Sequence, residues 1–224
     1  SIRLTDSANP TVTDTSDNPF AIVPAPAVTV TAPNGGERWA GGTQHAITWT
    51  SINIASVAIE YTTDGSTWTS IAANVSAATG TYTWTVPYTL SQACIMRITS
   101  LDNAAVSDSG DGAFSIVMPP SITVVAPNGG ESWMSGSQQT ISWTFNDIAQ
   151  VSIEFTVNGS DWTAIATGID AQTGSYLWTI PETPSANCQV RILDSAGSGT
   201  RDRSDGVFSI ISPSRITVIS PNGN

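Results

Sequence analysis

Few residues of this chain could take part in catalysis, and their arrangement argues against it. The 224 residues include one histidine, His45, two cysteines, seven arginines and no lysine. The sequence contains no Ser/His/Asp set, no cluster of metal-ligating residues and no glycine-rich phosphate loop. Glycoside hydrolysis needs two carboxyl groups about 5–10 Å apart in a cleft, whereas the repeated acids Glu60 and Glu154 are predicted on a flat sheet face. We predict that the chain is not an enzyme.

Three loops share an Asp-x-x-Asp pattern that leaves two interpretations open. The pairs are Asp14 and Asp17, Asp108 and Asp111, and Asp202 and Asp205. Carboxylate oxygens are the ligands that calcium prefers, so these six residues are candidates for a calcium site at a junction between domains. The alternative is a turn in which each side chain accepts a backbone hydrogen bond. Arg201 and Arg203 flank the third pair and argue against a strong cation site there. We expect no other cofactor.

Eight tryptophans recur as four pairs, each pair separated by 94 residues. Trp49 and Trp84 lie in alternating apolar and polar segments, which predicts that they face a core. Trp39 and Trp68 each follow a turn, as do their equivalents Trp133 and Trp162. These four are candidates for glycan binding, because an exposed aromatic face can stack on a sugar ring. The alternative is that they cover one end of a packed domain.

Cys94 and Cys188 occupy equivalent positions and alternate with apolar neighbours. Equivalent points in successive domains lie tens of ångströms apart, whereas a disulfide requires Cα atoms within about 7 Å. We therefore predict two free thiols that point inward as small apolar groups. Trp49 is expected to pack against Cys94 across the core.

The chain repeats itself with a period of 94 residues. Aligning residues 27–120 with 121–214 needs no gap and gives 45 identical pairs. The register continues at both ends, since Arg3 lies 94 residues before Arg97 and Asn222 lies 94 residues after Asn128. We predict the C-terminal strands of a preceding repeat in 1–26, whole repeats in 27–120 and 121–214, and the first strand of a following repeat in 215–224. The chain is expected to be a segment of a longer array.

Apolar and polar residues alternate with a period of two through most of each repeat, which is typical of half-buried β-strands. Val57, Ile59 and Tyr61 illustrate one such strand. Asp64-Gly65 and Asn158-Gly159 are typical of hairpin turns. No window shows a helical period. About seven strands per repeat predict an all-β fold of tandem immunoglobulin-like or fibronectin-III-like β-sandwiches.

The motifs of each repeat support a family resemblance. They include Pro33-Asn-Gly-Gly-Glu-Arg-Trp39, Asp64-Gly-Ser-Thr-Trp68, Tyr82-Thr-Trp-Thr-Val-Pro87 and Ser107-Asp-Ser-Gly-Asp-Gly-Ala-Phe114. Together they resemble the Ig-like repeat of many secreted or surface bacterial proteins. They are also similar to the Ig-like N-terminal domain of Ser/Thr-rich fungal cell-wall proteins involved in β-glucan assembly. The resemblance implies an extracellular or cell-surface setting and brings no catalytic residues with it.

Two serines lie in equivalent Asp-Ser-Ala tripeptides, Ser7 and Ser195. The tripeptide is similar to an acceptor motif of some bacterial O-glycosylation systems, so both serines are candidate glycosylation sites. The middle repeat has Ser100-Leu-Asp at the corresponding place, which weakens the pattern.

Charge and hydropathy limit the partners. The net charge is −11 and the sequence shows no basic cluster, which makes nucleic acid a poor partner. No apolar run approaches the roughly 18 residues that cross a bilayer, so we expect no membrane insertion in this segment. The expected partners are neighbouring repeats, identical chains in a filament, and surface glycans.

These observations favour a non-enzymatic extracellular array that is structural or adhesive, such as a segment of a surface filament, stalk or layer. Prolines between the repeats are expected to stiffen the joints. The alternative is a spacer or carbohydrate-binding ancillary module of a secreted hydrolase.

Overall fold

The computed structural model describes residues 1–216, and β-strands dominate them. The helical segments of this part are the 3₁₀ turns Ala77–Thr79 and Ala171–Thr173, and none of its helices is long enough to cross a membrane. The chain divides into two compact units, Ser1–Val117 and a second that begins at Met118. The sequence-based boundary followed residue 120. Most of the strand predicted at 215–224 lies outside the described residues.

The first unit opens with an exposed hairpin and continues as a β-sandwich. Its strands are β1 (Arg3–Thr5), β2 (Thr13–Thr15), β3 (Ala27–Ala32), β4 (Arg38–Ala40), β5 (Gln44–Ile52), β6 (Ser56–Thr62), β7 (Trp68–Ser76), β8 (Thr81–Thr85), β9 (Ser91–Ser100), β10 (Ser107–Ser109) and β11 (Phe114–Val117). One sheet has the order β3-β5-β8, and the other has the order β4-β11-β9-β6-β7 with β10 beside β9. We call the sandwich of β3 to β11 the first module.

The second unit repeats this sandwich strand for strand. Its strands are β12 (Ser121–Ala126), β13 (Ser132–Met134), β14 (Gln138–Asn146), β15 (Gln150–Thr156), β16 (Thr163–Asp170), β17 (Ser175–Thr179), β18 (Ser185–Asp194), β19 (Arg201–Arg203) and β20 (Phe208–Ile211). The sheets have the orders β12-β14-β17 and β13-β20-β18-β15-β16, with β19 beside β18. We call this sandwich the second module. The predicted fold of tandem Ig-like β-sandwiches is confirmed.

Each module has nine strands where the sequence predicted about seven. The additional strands are the three-residue pairs β4 with β10 and β13 with β19. Strands this short show no readable alternation, and β4 and β13 form through parallel pairing with β11 and β20, far away in the sequence.

Both cores form because alternate residues of the two sheets face each other. On β9 and β18 every second residue is buried, beginning at Cys94 and Cys188. The prediction of two free, buried thiols is confirmed for the described chain. Trp49 belongs to the same buried cluster as Cys94, although they lie on opposite sheets.

A buried indole donor fixes each 3₁₀ turn to its core. Trp49 Nε1 donates to the carbonyl of Ala77 at 3.0 Å, and Trp143 Nε1 donates to that of Ala171 at 3.1 Å. A buried N–H without a partner would cost about 1–3 kcal/mol. The tryptophan and the alanine therefore recur together in both modules.

Candidate functional site

The Asn-Gly-Gly-Glu motif of each module joins the loop that precedes the last strand. In the first module Asn34 Nδ2 donates to Asp111 Oδ2, and the backbone N–H of Asp111 donates to Asn34 Oδ1, both at 2.8 Å. Glu37 accepts from the backbone N–H groups of Asn34 and Gly35 at 2.7 and 2.8 Å. We call this network the clasp. Asn128, Gly129, Glu131 and Asp205 form the same clasp in the second module.

Glycine is needed where the two loops of the clasp meet. Gly35 has a φ of +131°, and a Cβ on it would lie 3.0 Å from the Cα of Gly112. A side chain would therefore strain the backbone and collide with the opposite loop. The sequence motif that supported the family resemblance is thus explained by the closure of the sandwich.

Backbone donors also shift the ionisation of Glu37. Partial burial acts to raise the pKa of this carboxyl, but hydrogen bonds from the N–H groups of Asn34, Glu37 and Gly35 outweigh it. The net result is a pKa below the usual value, so the carboxylate is the stable form at neutral pH.

The first aspartate of each Asp-x-x-Asp pair in the two modules also binds the backbone. Asp108 Oδ2 accepts from the N–H of Val30, and Asp202 Oδ2 accepts from the N–H of Val124, both at 2.8 Å. Both valines lie next to a β-bulge of β3 or β12, and both strands form the edge of a three-stranded sheet. The aspartate side chain therefore supplies an acceptor for an N–H of an edge strand.

The calcium candidates thus have protein partners in both modules. Asp111 and Asp205 belong to the clasps, and Asp14 accepts from the N–H of Thr15 at 3.0 Å. Asp17 is exposed beyond β2. Within residues 1–216 no three His, Cys, Asp or Glu side chains converge as a metal site. The geometry supports the turn interpretation, and calcium binding stays a prediction.

Two of the four candidate sugar-binding tryptophans are buried. Trp39 is 7% exposed and Trp133 is 9% exposed. Trp39 packs on Phe114 with ring centroids 5.3 Å apart, and Trp133 packs on Phe208 at 5.1 Å. Rings buried to this extent offer little surface to a sugar, which argues against these two positions, and glycan binding through the four tryptophans stays a prediction. The parallel pairing of β4 and β13 draws them inward.

Trp68 and Trp162 are half-buried and lie under arginines. The guanidinium carbon of Arg97 lies 3.9 Å from the ring centroid of Trp68, and that of Arg191 lies 4.2 Å from the ring of Trp162. Such cation–π stacks are worth about 0.5–1 kcal/mol at exposed sites.

The arginine of each stack also forms an ion pair with a strand neighbour. Arg97 Nη2 lies 2.7 Å from Glu60 Oε2, and Arg191 Nε lies 2.5 Å from Glu154 Oε2. The repeated glutamates are therefore ion-pair partners on the outer sheet face.

The second module carries a shallow concavity beside its stack. It measures about 310 Å³ and is lined by Trp162, Arg191, Arg201, Asp202 and Arg203. The equivalents of Arg201 and Arg203 in the first module are Ser107 and Ser109. In the sequence these arginines argued only against a cation site. The available signal was their spacing of two residues, which aims both side chains in the same direction if the segment is a strand.

The remaining candidates lie at the surface or in a stack. Ser7 and Ser195 are exposed, and both follow an aspartate that accepts the N–H two residues on, at 2.8 and 3.0 Å. Glycosylation of either serine stays a prediction. His45 stacks on Trp39 with ring centroids 4.6 Å apart and planes at 8°.

Comparison with known proteins assigns neither a family nor a role to the chain. No protein-family model and no curated protein matches the chain. Among solved structures it is similar to the fibronectin(III)-like modules of Clostridium thermocellum CbhA, with 16% identity over 83% of this chain and 94% of that chain, at a TM-score of 0.31.

It is also similar to an I-band fragment of titin, at 11% identity over 84% of this chain and 67% of the other, with a TM-score of 0.47. A third similar structure is DIP-gamma IG1+IG2, with 10% identity over 83% of this chain and 98% of that chain, at a TM-score of 0.41. These neighbours are fibronectin III and Ig-like domains, the same class as the two sandwiches described above. The resemblance to bacterial surface repeats and fungal cell-wall proteins stays a prediction.

Proposed function

We propose that this chain is a segment of a non-enzymatic, extracellular array of Ig-like modules with a structural or adhesive role. The observation that carries the proposal is what the two modules have in common. Their repeated polar and aromatic residues form the clasps, the bonds to the 3₁₀ turns and the Trp–Arg–Glu stacks. All of these contacts lie within one sandwich and support its closure.

Polar groups in the cores support the same view. In residues 1–216 no buried side-chain nitrogen or oxygen lacks a hydrogen-bond partner. A catalytic or ligand-binding core usually keeps some polar groups for its substrate. What the sequence repeats is therefore a means of stabilising a module, as expected for an element used many times in series.

The chain between the modules is held by the module that follows it. Asn146 Nδ2 donates to the carbonyls of Met118 and Pro119 at 3.3 and 3.0 Å. In the first unit, Asn53 Nδ2 donates to the carbonyl of Pro24 at 2.5 Å. Such anchoring shortens the free length of each joint, which suits a stalk or filament.

The proposal is tested by electron microscopy of the native material that carries the chain. We expect fibres or layers with an axial repeat the size of one module. Discrete particles with a separate catalytic domain would contradict the proposal. They would favour an ancillary module of a secreted hydrolase, a role that the partial exposure of Trp68 and Trp162 also suits.

A further inference from the structure

We propose that the second module binds an acidic saccharide, a sugar bearing carboxylate or sulfate groups, in the concavity formed by Trp162, Arg191, Arg201 and Arg203. The proposal concerns a single module and holds whether or not the array forms a filament. It goes beyond the structural role because Arg201 and Arg203, the residues that distinguish the site, do not repeat.

Three of the seven arginines of the chain converge on this surface. Arg201 and Arg203 are two residues apart on β19, so their side chains leave the strand on the same side. Arg203 pairs directly with Arg191 of β18. In an otherwise acidic chain, this is a local concentration of positive charge.

Placing these arginines together is unfavourable in the absence of a partner. Like charges directly opposite on neighbouring strands destabilise a sheet. Arg191 is compensated by Glu154, whereas Arg201 and Arg203 make no ion pair within the described residues. Asp202 also lines the concavity, but one of its oxygens accepts the N–H of Val124. An anion would satisfy the two exposed guanidinium groups.

The chemistry of the site indicates an oxyanion carried on a ring. A guanidinium group presents paired N–H donors that match a carboxylate or sulfate. Trp162 supplies an apolar wall, and a volume of about 310 Å³ is within the range of small-ligand sites. A docked protein would instead bury about 800 Å² on each partner, far more than this concavity offers.

The first module provides a natural control for every element except the two arginines. Trp68, Arg97 and Glu60 reproduce the stack, and Asp108 binds Val30 as Asp202 binds Val124. Ser107 and Ser109 stand where the arginines are. A fold that accepts serine at both places should accept Arg201→Ser and Arg203→Ser in the second module.

The test is titration calorimetry of the full chain with two probes, an oligogalacturonate, which bears carboxylates and no sulfate, and a carrageenan oligosaccharide, which bears sulfates and no carboxylate. Neutral cello-oligosaccharide of the same length is the control. We expect binding of at least one acidic probe at one site per chain, and none of the neutral sugar. The double variant Arg201→Ser, Arg203→Ser should weaken binding at least tenfold, while its thermal unfolding temperature is equal to or slightly above that of the wild type, because the opposed arginine pair is removed. Trp162→Ala should weaken it by a smaller factor.

The two acidic probes distinguish carboxylate from sulfate, and a preference for either supports the proposal. Three results would overturn it: no binding of either probe, equal binding by the double variant, or equal binding of polyglutamate of matched charge. The last would show that charge alone attracts ligands. Association of the chain with itself that disappears in the double variant would assign the arginines to a second copy and would also overturn it.

Discussion

Strands β10 and β19 occupy the same place in the two modules, but β10 reads Ser-Asp-Ser and β19 reads Arg-Asp-Arg. The central aspartate is kept because it bonds to the edge strand β3 or β12. The flanking residues face outward and do not bond to β3 or β12. The comparison teaches that inward positions of the repeat preserve the sandwich, whereas outward positions are free to acquire a ligand.

The largest effect is expected from the residues that the modules share most completely, those of the core. Phe114→Ala and Phe208→Ala should each lower the free energy of unfolding of their own module by about 3–5 kcal/mol, since both rings are 1% exposed. Denaturant unfolding followed by module-specific NMR signals measures this. Leu90→Ala and Leu177→Ala, at exposed positions, are the matched controls. Very different losses for the two phenylalanines would mean that the cores are not equivalent.

The second-largest loss of stability is expected from substitutions in the clasps. Asn34→Ala and Asn128→Ala each remove one side-chain donor and one acceptor from the clasp of their module. We expect a loss of about 0.5–1.5 kcal/mol in each case, since these bonds are exposed and water can take the place of the lost partner. Chemical denaturation of the single variants measures it, with Asn187→Ala at an exposed site as control. A loss in one module alone would refute the idea of a common clasp.

The stability contributed by the hairpin turn at Asp64 should depend on pH, whereas that of the equivalent turn at Asn158 should not. The pKa of Asp64 is held well below its usual value by hydrogen bonds from Thr67, Ser66 and Thr62. The stabilisation by this carboxylate is therefore complete above the unfolded pKa of about 4. It is lost as the pH falls toward the folded pKa. Asn158, which accepts the same bonds in the second module, does not titrate.

Thermal unfolding of wild type and Asp64→Asn between pH 2 and pH 6 tests this expectation. The substitution should reduce the acid sensitivity of the first module and leave the second unchanged. Asn158→Asp should confer acid sensitivity on the second. Identical pH profiles for wild type and Asp64→Asn would exclude a contribution of this turn.

The thiols should show the smallest difference between the modules. Burial raises the pKa of Cys94 and of Cys188 and outweighs the hydrogen bonds to their sulfurs. Since the thiolate is the reactive form, a thiol-specific reagent should label neither in the native chain and both in denaturant. Rapid labelling of one cysteine under native conditions would show that its core opens more readily.

The sequence predicted the fold because alternation and the 94-residue repeat are local and repeated signals. It could not place Trp39, whose burial depends on pairing between β4 and β11, residues more than 70 positions apart. It treated Asp108 and Asp111 as one pair, whereas the structure sends them to different partners, Val30 and Asn34. The concavity was missed because strands β18 and β19 assemble it from residues that are separate in the chain.

The most direct test introduces into the first module the two arginines that distinguish the second. Ser107→Arg and Ser109→Arg together give β10 the outward residues of β19, next to the existing Trp68 and Arg97 stack. If shared residues hold the sandwich and the two arginines carry the ligand, calorimetry should show two acidic-saccharide sites per chain instead of one, with at most a small loss of thermal stability, because Ser109→Arg places a like charge opposite Arg97. A stoichiometry that remains at one, in a folded variant, would contradict the account.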